Sequence, residues 1–152
     1  MFYINRKEAR IIVLQRIELI SNFLKKIRKI LGRYFFTNFI TRYFLSTTEI
    51  GKAYFKDMNE EFKTLENHID HKDKNVLSIG GGIGGLEAIL NNNCEINFFD
   101  FIEKNFVSKK VVYGWSNNNN EAYNNISLQT QFLVKNGLSK KKFKVFDFDK
   151  DT

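Results

Sequence analysis

The chain reads as an α/β protein in which N-terminal helices lead into a parallel sheet, and three stretches carry that reading. Val76, Leu77, Ser78 and Ile79 form an apolar run of strand length. It passes straight into glycines at 80, 81, 82, 84 and 85, and then into the helix-like Leu86-Glu87-Ala88-Ile89-Leu90. Residues 95–100, Glu-Ile-Asn-Phe-Phe-Asp, are rich in β-formers and predict a second strand. Residues 142–149 alternate polar and apolar side chains and predict a third.

The helices come first. Val13, Ile17, Ile20, Leu24, Ile27 and Leu31 recur at steps of four and three, which places them on one face of a single amphipathic helix that Gly32 stops or kinks. Arg16, Lys25, Lys26, Arg28 and Lys29 fall largely outside that stripe. Phe35, Phe36, Phe39, Ile40, Tyr43, Phe44 and Leu45 then form an aromatic cluster suited to a second short helix. Ser46-Thr47-Thr48-Glu49 has capping-box spacing, and Tyr54, Met58, Phe62, Leu65 and Ile69 follow at helical steps, which predicts a helix over 47–69.

Beyond the second strand, residues 101–120 lack firm periodicity and read as an insertion or long loop containing Tyr113 and Trp115. Residues 121–135 predict a helix with Tyr123, Ile126, Leu133 and Val134 as core candidates, stopped by Asn136-Gly137. The expected division is a basic helical extension over 1–45 and an α/β cofactor-binding domain over 46–152.

A strand that enters a helix through glycines brings main-chain N–H groups close to a ligand, with no Cβ in the way. Gly80, Gly82 and Gly85 satisfy the dinucleotide fingerprint G-x-G-x-x-G. Gly80, Gly82 and Gly84 satisfy an alternating G-x-G-x-G. Asp100, twenty positions after Gly80, falls where the second strand of such a unit presents an acid to ribose hydroxyls.

The run from Val76 to Glu87, together with Asp100 and the helix containing Phe55 to Phe62, resembles the class I S-adenosylmethionine-dependent methyltransferases. The match spans roughly residues 54–149. The resemblance implies a Rossmann-like sheet and S-adenosyl-L-methionine as cofactor. It implies close backbone approach at Gly80, Gly81, Gly82 and Gly84, a ribose anchor at Asp100, an apolar wall from Ile83 and Phe101, and an adenine contact from Asp147, with Asp149 as a nearby alternative. The helix before the glycine strand would cover the cofactor. The chain departs from the family at Ser78, where an Asp or Glu is usual. Only three of the family's seven strands are found, and the resemblance leaves two readings of this: the chain is a product or fragment truncated after the third strand, or the open edge is covered by the N-terminal helices or by a partner chain.

Composition bounds the alternatives. With 152 residues and 43% hydrophobic content the chain suits one core. Residues 1–45 hold ten Lys or Arg against Glu8 and Glu18, more than the whole chain's net charge of +7. A basic amphipathic helix beside aromatic residues suits packing on the core, a substrate cap, or an anionic membrane surface. Cys94 alone forms no internal disulfide, which points to a reducing, cytoplasmic compartment with peripheral membrane attachment as a variant. His68 and His71, in a charged segment, read as solvated surface and not as metal ligands. No catalytic residue is nominated and the methyl acceptor is not identified. The competing functions are an FAD- or NAD-binding oxidoreductase and a non-catalytic protein that binds membrane surface or nucleic acid.

Overall fold

The computed structural model describes residues 1–69, 72–105 and 124–151. The first helix starts at a reciprocal cap. The Asn5 side chain accepts the Glu8 N–H at 2.9 Å, and the Glu8 carboxylate accepts the Asn5 N–H at 2.6 Å, which fixes α1 at Arg6–Gln15.

The single helix expected over residues 13–31 is two helices. Arg16 leaves the helical region at φ −134° and ψ 78°, a 3-10 turn follows at Ile17–Leu19, and α2 (Asn22–Phe35) begins afresh after Ser21. Arg16 gives the physical reason. Its guanidinium reaches Asp57 and Glu61 at 2.7 Å each, pairing it with the later helix at Thr47–Leu65. Gly32 does kink α2, at φ 77° and ψ 159°. A π-helical turn at Phe36–Ile40 and the one-turn α3 (Thr41–Tyr43) carry the aromatic cluster. α4 (Thr47–Leu65) opens at Ser46, whose hydroxyl accepts the Glu49 N–H at 3.3 Å. It gives way to a 3-10 turn at Glu66–His68 instead of running on to residue 69.

The sheet is parallel in the order β1-β2-β3, with β1 Lys72–Ile79, β2 Glu95–Glu103 and β3 Phe143–Asp147. α5 (Gly85–Asn93) and α6 (Ile126–Lys135) make the two crossovers. Both steps run in the same direction, and parallel crossovers are right-handed, so both helices come to the same face. The register places Ser78, Phe101 and Val145 on that covered face, and Phe99 and Phe101 are fully buried there. The other face carries Leu77, Asp100 and Lys144 in register, and Ile79 beside Ile102 and Phe146. Leu77 is 61% exposed and Ile79 72% exposed. Among the described residues β1 pairs only with β2, so its outer edge is open.

One core joins these elements. Phe2 packs its ring 5.5 Å from Tyr54 of α4 and 5.1 Å from Phe132 of α6. Phe2, Ala9, Ile12 and Val13 belong to the same buried cluster as Phe99 and Phe101. Residues 1–20 are therefore part of the core of the α/β body and not a separate extension. The fully buried Glu8 carboxylate receives Lys135 Nζ at 2.8 and 3.0 Å, which ties α1 to the end of α6. Val134, expected in the core, is 40% exposed, because α6 buries Gln129, Phe132 and Leu133 instead. Residues 106–123, with Tyr113, Trp115 and Tyr123, lie outside the described residues, as does His71.

Lys135→Met leaves the Glu8 carboxylate buried without its cation. Breaking a buried pair costs about 3–5 kcal/mol, and the lysine's partial exposure reduces this to about 2 kcal/mol. Urea unfolding of the two proteins measures the difference.

Candidate functional site

The glycine turn sits at the C-terminal ends of β1 and β2 and walls a cavity of about 570 Å³. Gly80 and Gly82 have φ of 64° and 68°, the left-handed region that favours glycine. The Gly80 N–H donates to the Ile102 carbonyl at 2.9 Å, which hangs the turn from β2.

Under the turn lies a buried acid. Ser78 Oγ donates a short hydrogen bond to Glu87 Oε1, while Glu87 Oε2 is buried with no hydrogen-bond partner. Gly81 covers this pair, and a Cβ there would run into the Ser78 hydroxyl and the Glu87 carboxylate. Burial pushes the Glu87 carboxyl above its ordinary pKa, and the Ser78 hydrogen bond only partly opposes that. Glu87 lies in the first turn of α5, where the helix dipole favours negative charge. Tyr54 of α4 abuts the same turn: its hydroxyl meets the Gly85 backbone, and any Cβ at 85 would collide with its ring. Burial first, and the Glu87 charge second, push the Tyr54 phenol up.

Opposite Glu87 stands Glu103, the last residue of β2, only 3% exposed. It accepts Gln129 Nε2 at 3.3 Å and is also hydrogen-bonded by the Asn124 side chain and the Gly82 backbone. Asn124 Nδ2 in turn donates to the Gly82 carbonyl at 2.7 Å. Burial raises the pKa of Glu103, and the Glu87 charge adds to the rise against these hydrogen bonds. The remaining walls come from Gln15, Arg16 and Glu18 after α1, from Met58 and Glu61 of α4, and from Leu86 and Lys104. The cations are already engaged, Arg16 by Asp57 and Glu61 and Lys104 by Asp149 at 3.6 Å. The cavity is therefore acidic inside a basic chain.

The structure brings Gly80, Gly81 and Gly82 to the cavity, together with the helix before the glycine strand. It does not bring Asp100, Phe101, Ile83 or Asp147 there. β2 runs three residues beyond Asp100, and the alternation of side chains puts Asp100 on the open face beside Leu77. Glu103 takes the strand-end position expected of Asp100. Ile83 and Phe101 are wholly buried in the core. Gly84 caps α5 at φ 90° and faces Leu133. Asp147 is spent on the turn after β3, where its carboxylate accepts the Asp149 N–H at 3.2 Å and pairs with Lys150. Glu87, hydrogen-bonded by Ser78, places a carboxylate beside position 78.

Glu87, Tyr54 and Asn124 were not legible as site residues. Glu103 had a signal, since Phe99, Phe101 and Glu103 continue one alternating face. His68 is exposed, and among the described residues no group of three or more His, Cys, Asp or Glu is arranged to hold a metal ion. In comparisons with known proteins, no family model, no curated protein and no solved structure matches the chain.

The raised carboxyls have a defined consequence for stability. The native state keeps the Glu87 proton above the pH at which the unfolded chain, near 4.5, releases it, so this contribution falls as pH rises through the folded value. Glu87→Gln keeps an acceptor for Ser78 and removes the ionisation. Its stability relative to the native chain rises between pH 5 and pH 8, as read by urea midpoints across that range. A constant difference would show that Glu87 does not titrate in this window.

Proposed function

We propose that this chain binds S-adenosylmethionine in the glycine-turn cavity and is the cofactor-binding part of a Rossmann-like methyltransferase. The observation that carries the reading is the unpartnered, buried oxygen of Glu87 beneath Gly81. In a dinucleotide enzyme the pyrophosphate rests on the glycine turn and the helix N-terminus. A buried carboxylate at that place repels two phosphates and attracts a cation. S-adenosylmethionine carries a sulfonium and an ammonium, and the acidic lining suits both. The FAD or NAD alternative is correspondingly disfavoured.

The other residues fit the same ligand. Glu103, at the strand end, is the carboxylate available to a ribose diol, and Gly80 and Gly82 allow close backbone approach. Met58, Leu86 and Tyr54 supply apolar surface from α4 and α5. The cavity, at about 570 Å³, is within the ~300–1,000 Å³ typical of sites for ligands of this size. When bound, S-adenosylmethionine supplies a methyl group already activated on sulfonium sulfur. The chain's task is then to hold that group in line with an acceptor and to keep water away.

Titration calorimetry with S-adenosylhomocysteine, with NADH and FAD in parallel, tests the reading. Saturable binding of S-adenosylhomocysteine alone is expected, and binding of a dinucleotide alone overturns it. Hydrogen bonds to a charged group are worth ~1.5–3 kcal/mol, so Glu103→Ala weakens binding by about 10–100-fold. Asp100→Ala leaves it essentially unchanged. The opposite ranking would return the ribose anchor to Asp100.

A further inference from the structure

We infer that the segment formed by α2, the π-helical turn and α3 docks on the surface of an anionic phospholipid bilayer. The folded core divides the basic N-terminal region in two. Phe2, Ala9, Ile12, Val13 and Ile20 are buried in the body, whereas the segment after Ile20 is anchored by Phe36 and Leu45 and leaves most of its other large apolar side chains exposed. Phe23 is 70% exposed, Ile30 82% and Phe44 62%. Leu31, Phe35, Phe39 and Tyr43 are exposed as well. Phe39 holds the aromatic residues together, with ring centroids 5.2 Å from Phe35, 5.2 Å from Tyr43 and 5.8 Å from Phe44. Large apolar side chains exposed together in this way mark an interaction site.

Charge selects the partner. Between Glu18 and Glu49 the chain carries six Lys or Arg and no acid. On α2, Lys25, Arg28 and Lys29 fall on the side away from the face that carries Phe23, Ile30 and Leu31, and Lys26 borders it. A cationic face beside an apolar, phenylalanine-bearing one is the arrangement of a helix lying in the interface of a negatively charged membrane. No helix among the described residues is long and apolar enough to cross a membrane, so the contact is a surface one. Nucleic acid would use the same cations and could stack on the aromatic rings, but it gives no cover to Ile30 and Leu31, which are aliphatic. A bilayer takes both kinds of side chain out of water.

Vesicle flotation with the full chain tests this, using pure phosphatidylcholine and phosphatidylcholine mixed with phosphatidylserine. Binding to the mixed vesicles alone is expected, weakening between about 0.1 M and about 1 M salt as screening shortens from ~10 to ~3 Å. Lys25→Glu with Lys26→Glu weakens binding by on the order of tenfold or more, given the contribution of each cation near such a surface. Phe23→Ser with Ile30→Ser weakens it comparably. Both side chains are exposed, so the thermal midpoint of this variant stays that of the native chain. Absence of binding to the mixed vesicles overturns the inference. So does tighter binding to RNA than to vesicles that survives the Phe23→Ser, Ile30→Ser change.

Discussion

The Ser78 hydroxyl donates a hydrogen bond to the Glu87 carboxylate, buried beneath the glycine turn, and this bond constrains the positions around it. The oxygen pair fills the space a Cβ would need at 81, so the turn is held to glycine by contact as well as by backbone angle. Glu87 sits in the first turn of α5, so the bond also fixes how that helix leaves the strand. Tyr54 then closes against Gly85, which seats α4 on the same turn. A buried carboxyl with an oxygen left over is costly unless it keeps its proton or meets a cation. A positively charged ligand there would lower the Glu87 pKa only to the extent that it prefers the ionised over the protonated carboxyl.

The winding of the sheet decides what is covered. Two right-handed crossovers in the same direction stack α5 and α6 on one face, and α1 and α4 pack into that same layer through Phe2, Tyr54 and Phe132. Leu77 and Ile79, both of a residue type suited to burial, consequently face outward, beside an edge of β1 that no strand among the described residues pairs. An apolar face adjoining an open parallel edge is a surface that pairs readily with another strand. The site itself does not depend on that face. Among the described residues its walls come from the covered side and from the strand ends.

Much of this was legible in the residues, and the failures share a cause. The strand, glycine turn, helix and second strand follow from short-range periodicity and glycine placement, which local sequence encodes. The Ser46 start of α4 and the Gly32 kink follow from cap and backbone chemistry. The break at Arg16 was hidden, because the apolar steps of four and three continue straight through it. What interrupts the helix is a pairing with Asp57 and Glu61, some forty positions away. Asp100 was assigned by counting from Gly80, but the strand continues to Glu103, and the position that meets the turn is set by the strand's end and not by its length in sequence. Glu87 was visible only as a helix residue. Its role depends on the side chain opposite it, which no periodicity reports.

The Arg16 break does more than shorten a helix. Had α1 continued through residue 31, its basic face would have run on directly from the cavity wall. Instead the chain turns at Arg16, and Gln15, Arg16 and Glu18 stay at the cavity. The cations of α2 begin only after the new start at Asn22. The two acids that hold Arg16 offset one of the two cations that line the cavity, as Asp149 does for Lys104. Acidic cavity and basic surface are thereby kept apart within one core. The separation rests on an ion pair that is about one-third exposed on each side, modest in energy but decisive in geometry.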